Sequence, residues 1–348
     1  MNSQDRVMAA VTGKIPDRVP VMEMFIDARV IDSICPGMCY EDFIDYADMD
    51  VVTCLTMADK LENINWVNKE KKIWRDKWGA LQQTTGETIS IVVPPAAVNS
   101  EEDLDNYIPP DPGKAFVLDH AKKLVDRFKG KKAIAVVGEA SFAPVVNMRA
   151  GFENMFIDYA TRPELIHKLA KIAIDYHIEL YRKLLAEGVE IIVLGDDYAG
   201  KNGPFMSPRH FAEYVLPGLK TVVKEVKSKG GYIIKHCDGN FWTIIDMLIS
   251  TGIDMLGPLE PAYMALDKVR RYSGGKVGVV GNIDVDLLSV GSVEEVKAAT
   301  KELLSRVSPL GGHILSSGNT ISSSVKGENF MVMLETARQF GKYPISIN

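Results

Sequence analysis

Residues able to move protons or hold cations recur in this chain at one kind of place, directly after a short apolar run. The clearest case is the stretch 230–240, GGYIIKHCDGN. Tyr232, Ile233 and Ile234 read as a buried strand, and the run gives way at once to His236, Cys237 and Asp238. Strand side chains alternate, so His236 and Asp238 fall on one face and Cys237 on the other. An imidazole beside a carboxylate can hold a divalent cation through mixed N and O ligands, or act as a proton-transfer pair.

Other apolar runs end the same way. VPVMEMF carries Glu23, and AIAVVGE ends on Glu139. EIIVLGDD ends on Asp196 and Asp197, and IDMLGPL is followed by Glu260. KVGVVGNID delivers Asn282 and Asp284, and HILSS leads to Ser317 and Asn319. Each has a structural reading as well. Asp196 or Asp197 could cap the next segment, Glu260 could bond loop backbone, and Asn282 and Asp284 could form turns. A lone histidine at a strand end is usually structural too. The case for a small-molecule site rests on convergence, because so many strand ends carry polar groups.

The elements that must bring these ends together alternate regularly. Strands are predicted at 19–25, 51–56, 133–139, 190–197, 232–234, 253–259, 276–284 and 313–317. Most are followed by a helix, among them 161–187, 207–229, 241–251, 292–307 and one near 327–340. No Gly-rich dinucleotide fingerprint follows the first strand. This pattern predicts an α/β fold, a (β/α)8 TIM barrel over 1–348 as a single domain, with reactive groups where strands end. Residues 60–95 break the alternation with three tryptophans and a charged run, and they predict a β-hairpin insertion after strand two, with Gly86 near its turn.

The net charge of -6 argues against a nucleic-acid partner. No stretch approaches 18 apolar residues and the first twenty lack an apolar core, which predicts neither a membrane span nor a signal peptide. Cys35, Cys39, Cys54 and Cys237 show no metal or disulfide spacing, consistent with a cytoplasmic protein.

Several separated blocks resemble one family. RVMAAVTGKIPDRVPV, GDDYAGKNGPFMSPRHFAEYVLP, HCDGN, GIDMLGPLEP, GNIDVDLL and HILSSGNTI are similar, in this order, to the uroporphyrinogen decarboxylase superfamily. The resemblance runs over nearly the whole chain and implies a (β/α)8 barrel. True decarboxylases of the superfamily carry an arginine-rich block near the first strand that grips substrate carboxylates. Here that region reads MFIDARVID, with only Arg29. The corrinoid-dependent methyltransferase branch is the better match. Its thiol-methylating members bind zinc through His-x-Cys and a later Cys, where this chain has His236, Asp238 and, at or near the third position, Asn319. A soft thiolate site has become a harder N/O site.

The resemblance therefore implies an O-demethylase-like methyltransferase. It would take the methyl group of a small methyl donor, an aryl methyl ether of guaiacol or veratrole type, and pass it to the cobalamin of a partner corrinoid protein. His236, Asp238, Asp196, Asp197 and Glu260 are the catalytic candidates, with His236 and Asp238 as possible zinc ligands. Glu139, Phe142, Phe205, Met206, Asn282 and Asn319 are the substrate-binding candidates. The alternatives are a decarboxylase of a small carboxylated substrate, a methylcorrinoid:thiol methyltransferase, and a binding protein without turnover.

Overall fold

The computed structural model describes residues 1–56, 64–85 and 90–346. Strand β1 (Val51–Leu55) opens a parallel sheet. Four short strands follow: β2 (Asn65–Asn68), β3 (Ile73–Arg75), β4 (Leu81–Thr84) and β5 (Ser90–Val93), paired antiparallel in that order. The chain then returns to the parallel sheet with β6 (Ala133–Gly138) and β7 (Ile191–Leu194). A two-stranded ribbon, β8 (Ala199–Gly200) and β9 (Gly203–Pro204), precedes β10 (Tyr232–Lys235). Strands β11 (Met255–Leu256), β12 (Gly278–Val280) and β13 (His313–Ile314) complete the sheet, whose order is β1-β6-β7-β10-β11-β12-β13.

This is an α/β fold whose parallel seven-stranded sheet curls in the manner of a TIM barrel. Strands β7 and β10 end short of Asp197, His236 and Asp238, which leave the hydrogen-bonded ladder and turn toward the mouth. Alternation sorts the apolar residues into two layers. Val51, Ala133, Ala135, Ile191, Val193, Ile234, Met255, Val280 and Ile314 fill the inside of the curl, where Val7 and Ala10 of the helix Ser3–Val11 join them. Their neighbours Val52, Ile134, Val136, Ile192, Leu194, Ile233 and Val279 face outward and pack under the helices.

The first expected strand departs from the prediction. Residues 19–26 form only isolated bridges, Val21 to Leu315 and Ile26 to Ile321, both parallel. The segment still spans the gap between β13 and β1, since the Asp50 N–H donates to the Val21 carbonyl at 3.0 Å. Pro20 has no N–H to offer a ladder. Between the two bridges the Glu23 side chain stands in for the backbone. It accepts from the Ser317 N–H at 2.7 Å, the Ser317 hydroxyl at 2.7 Å and the Ser316 hydroxyl at 3.1 Å. Below it, the buried Asp50 carboxylate accepts from Arg6 at 2.6 Å and from Arg18 and the Val21 N–H at 2.9 Å. That cluster anchors the N-terminal helix to the start of β1.

Residues 65–93 hold four antiparallel strands, and Gly86, expected near a hairpin turn, lies outside the described residues. No described helix is long and apolar enough to cross a membrane.

Burial pushes the Glu23 carboxyl up from its ordinary 4.5 to about 8, against the pull of its serine partners. An acid raised in the folded state stabilises the fold fully below its unfolded value, and that contribution drains away as pH rises through the folded value. Wild-type stability should therefore fall relative to Glu23→Gln between pH 4.5 and 8, by on the order of a few kcal/mol. Thermal melts of both proteins across pH 5–9 check this on the order of one-unit steps; a stability difference constant with pH would contradict it.

Candidate functional site

Strand β10 ends at Lys235, and the next residues splay by parity. His236 and Asp238 turn inward, and Cys237 turns outward. The Cys237 sulfur lies in the apolar layer, 3.3 Å from the Tyr198 N–H that donates to it. Burial pushes that thiol up to about 12, so Cys237 offers no thiolate to the site.

His236 is oriented by the chain that follows. Its Nδ1 sits 2.7 Å from the Pro258 carbonyl. A carbonyl can only accept, so Nδ1 carries the hydrogen and the lone pair of the neutral ring lies on Nε2. Nε2 is 3.3 Å from Asp238 Oδ1 and 3.6 Å from Asp197 Oδ1. The three donor atoms lie within 4.8 Å of one another. An imidazole fixed through its far nitrogen by a carbonyl, with two carboxylates before its near nitrogen, fits a divalent cation with N/O ligands.

The carboxylates are themselves held. The Asn319 amide donates to both oxygens of Asp238, each at 2.9 Å. The Asp238 N–H donates to Asp197 Oδ1 at 2.9 Å, which ties the turn after β10 to the turn after β7. Glu260 accepts from the Gly239 N–H at 2.6 Å. Gly239 has φ +71°, and a Cβ there would stand 2.5 Å from the Gly200 carbonyl, so only glycine lets the β8–β9 ribbon lie over this turn. Asp197 and Asp238 remain 42% and 31% exposed, open to the mouth, whereas the His236 side chain is only 6% exposed. Burial pushes the Asp238 carboxyl up to about 6, with Asp197 and Glu260 adding to the rise while His236 and Asn319 oppose it.

The other candidates separate by environment. Asp196 is fully buried, and its oxygens accept from the N–H groups of Ala140 at 2.6 Å and Ala143 at 2.8 Å. It holds the loop after β6 and does not face the cluster. Glu139 is half-buried and its carbonyl accepts from the Tyr181 hydroxyl. Phe142 packs edge-on to Tyr198 at 5.4 Å and Met206 lies against Tyr159, so both belong to the core. Phe205 is 42% exposed, with Phe152 5.1 Å away. Asn282 is buried, donates to the Met264 carbonyl at 3.2 Å and borders a separate cavity of about 260 Å³. Asp284 caps the helix Val285–Val290, the turn-forming role open to it from the start. Glu23 is spent on Ser316 and Ser317.

Two features of the site escaped sequence reasoning. The Pro258 carbonyl that sets the tautomer left no mark, because every residue carries one. Asn319 was legible as a strand-end amide, but its partner Asp238 lies 81 residues away.

The chain is similar to known proteins along most of its length. It is 29% identical over 187 residues to uroporphyrinogen decarboxylase of Schizosaccharomyces pombe, a match covering 51% of this chain and 50% of that relative. It is 28% identical over 262 residues to the Myxococcus xanthus protein of the same name, covering 71% and 70%. Among solved structures, a methyltransferase from Methanosarcina mazei shares the fold with a TM-score of 0.74, at 18% identity over 98% of this chain and 99% of that one. A B12-independent methionine synthase from Shewanella sp. W3-18-1 shares it with a TM-score of 0.54, at 16% identity over 94% and 96%. Residues 82–340 match the family described as Uroporphyrinogen decarboxylase (URO-D), and the chain belongs to that family.

Proposed function

We propose that this protein is a corrinoid-dependent methyltransferase. It takes the methyl group from a small methylated substrate, an aryl methyl ether, and passes it to the cobalt of a partner corrinoid protein. The observation that carries the proposal is the convergence of His236 Nε2 with Asp197 and Asp238 at the open end of the sheet. A porphyrinogen bearing many carboxylates needs several cations to meet it. Here the reactive end gathers carboxylates instead, and Arg29 is paired with Asp27 at 2.8 Å. Such a site suits an uncharged ether.

Demethylation leaves a phenolate, a far better leaving group when its oxygen is stabilised as the bond breaks. His236, Asp197 and Asp238 would hold a divalent cation such as zinc, which would supply Lewis acidity to the departing oxygen. The chain's own contribution is orientation and protons. Pro258 keeps Nε2 pointed at the carboxylates, and Asn319 keeps both oxygens of Asp238 in place. With no cation bound, Asp238, whose carboxyl burial pushes up to about 6, would be the group that gives the phenolate its proton. We assign the substrate's aromatic ring to Phe205, which is exposed beside Phe152 and offers an aromatic face.

The direct test incubates the protein with reduced cobalamin and a panel of methoxyaromatics and follows cobalamin absorbance. Methylation with at least one ether is expected, and a loss of roughly 100-fold or more in His236→Ala. No transfer across the panel, with carbon dioxide released from a small carboxylated substrate, would favour the decarboxylase reading instead.

Two further outcomes follow from the geometry. Asp197→Ala should cost turnover while leaving thermal stability near wild type, since the side chain is half exposed. Asp196→Ala should lower stability by roughly 2–4 kcal/mol, because the buried Ala140 N–H and the part-buried Ala143 N–H lose their acceptor. The pH profile separates the two uses of Asp238. If it serves as a metal ligand, activity rises with pH as the carboxyl ionises, below about 6 because a bound cation favours the ionised form, and chelators abolish it. If it serves as the acid, activity falls through about 6 and chelators do nothing. A profile flat through and below that range would remove Asp238 from both roles.

A further inference from the structure

The outward-facing residues beside the site are as unusual as the inward-facing ones. Lys235 shares its parity with Ile233, so its side chain enters the apolar layer beneath the helices, where it is fully buried. A buried ammonium is costly, and a strand position facing such a layer is ordinarily filled by an aliphatic residue. Here the ammonium folds back onto backbone. Nζ lies 3.1 Å from the Leu194 carbonyl, 2.7 Å from the Asp196 carbonyl and 2.5 Å from the His236 carbonyl. An ammonium has three donors, and three carbonyls meet them. The Tyr198 ring covers the same group at 4.3 Å.

The three carbonyls are not scattered. The Asp196 carbonyl belongs to the peptide that leads into Asp197, and the His236 carbonyl to the peptide that leads toward Asp238. Leu194 is the last residue of β7, and its carbonyl also accepts the His236 N–H at 3.0 Å. One charge therefore grips the turns after β7 and β10 from behind. Cys237 grips them a second time, through its sulfur and the Tyr198 N–H. On the inner side the same turns meet through the Asp238 N–H and Asp197.

We propose that Lys235 is a positioning residue that clamps these two turns together, so that Asp197, His236 and Asp238 converge. It touches none of the reacting atoms. The inference rests on the reading of those three residues as the working site, but its geometric content does not depend on the reaction.

Hydrogen exchange at the Asp238 amide tests it, in metal-free protein without substrate. That amide is 2.9 Å from Asp197 Oδ1 and reports whether the turns are in register. Lys235→Met removes all three donors at similar length, and Lys235→Gln retains two. Exchange at Asp238 should quicken on the order of tenfold or more in Lys235→Met and by less in Lys235→Gln, with amides of the β1–β6 ladder unchanged. A merely structural lysine would instead quicken exchange everywhere alike, and that result overturns the proposal. Wild-type protection at Asp238 in either folded variant also overturns it. Should Lys235→Met not fold, Lys235→Gln alone decides by the same readout. Because no metal or methyl donor is used, failure of the methyl-transfer reading would leave this result standing, and the reverse holds too.

Discussion

Everything at this site depends on the two-residue period of a strand, carried a few residues past the end of β10. Even-numbered His236 and Asp238 point into the mouth, and odd-numbered Lys235 and Cys237 point into the apolar layer behind it. A one-residue slip would exchange the two sets, placing a lysine and a thiol in the mouth and burying an imidazole and a carboxylate in the core. Register is therefore chemistry here. It is set by the β7–β10 pairing, Ile192 against Ile233 and Leu194 against Lys235.

The second constraint is electrostatic. Asp197 and Asp238 face one imidazole, and Glu260 adds its charge beside Asp238, a costly arrangement without cations or directed donors. The fold meets it with directed groups. Asn319 donates to Asp238, the Asp238 N–H to Asp197 and the Gly239 N–H to Glu260. What remains is a raised Asp238 carboxyl and an imidazole nitrogen facing two acids. A site that strains toward a positive charge is suited to bind one, or to keep a proton in its place.

Much of this was legible in the amino-acid order. The alternation of apolar runs and helices gave the parallel sheet, and the pairing of His236 with Asp238 follows from spacing alone. Residues whose fate depends on the long-range path were not legible. Asp196 and Asp197 are adjacent and chemically identical, yet one bonds Ala140 and Ala143 while the other opens to the mouth. Phe142 and Phe205 are both aromatic residues beyond a strand end, and only packing tells that the first is core. The strand expected at 19–25 has the composition of a strand, but a buried glutamate with serine partners across the sheet replaces part of its ladder. Nothing in the order of residues marks Lys235, whose three carbonyl partners come from the end of β7 and the turns after β7 and β10.

The central claim is that Asp197, His236 and Asp238 act as one donor set. Calorimetric titration of the purified, chelator-treated protein with zinc at neutral pH tests it most directly. A single site per chain is expected, lost in His236→Ala and weakened roughly 10- to 100-fold in Asp238→Asn. Wild-type affinity in His236→Ala, or no binding by the wild-type protein, would contradict it.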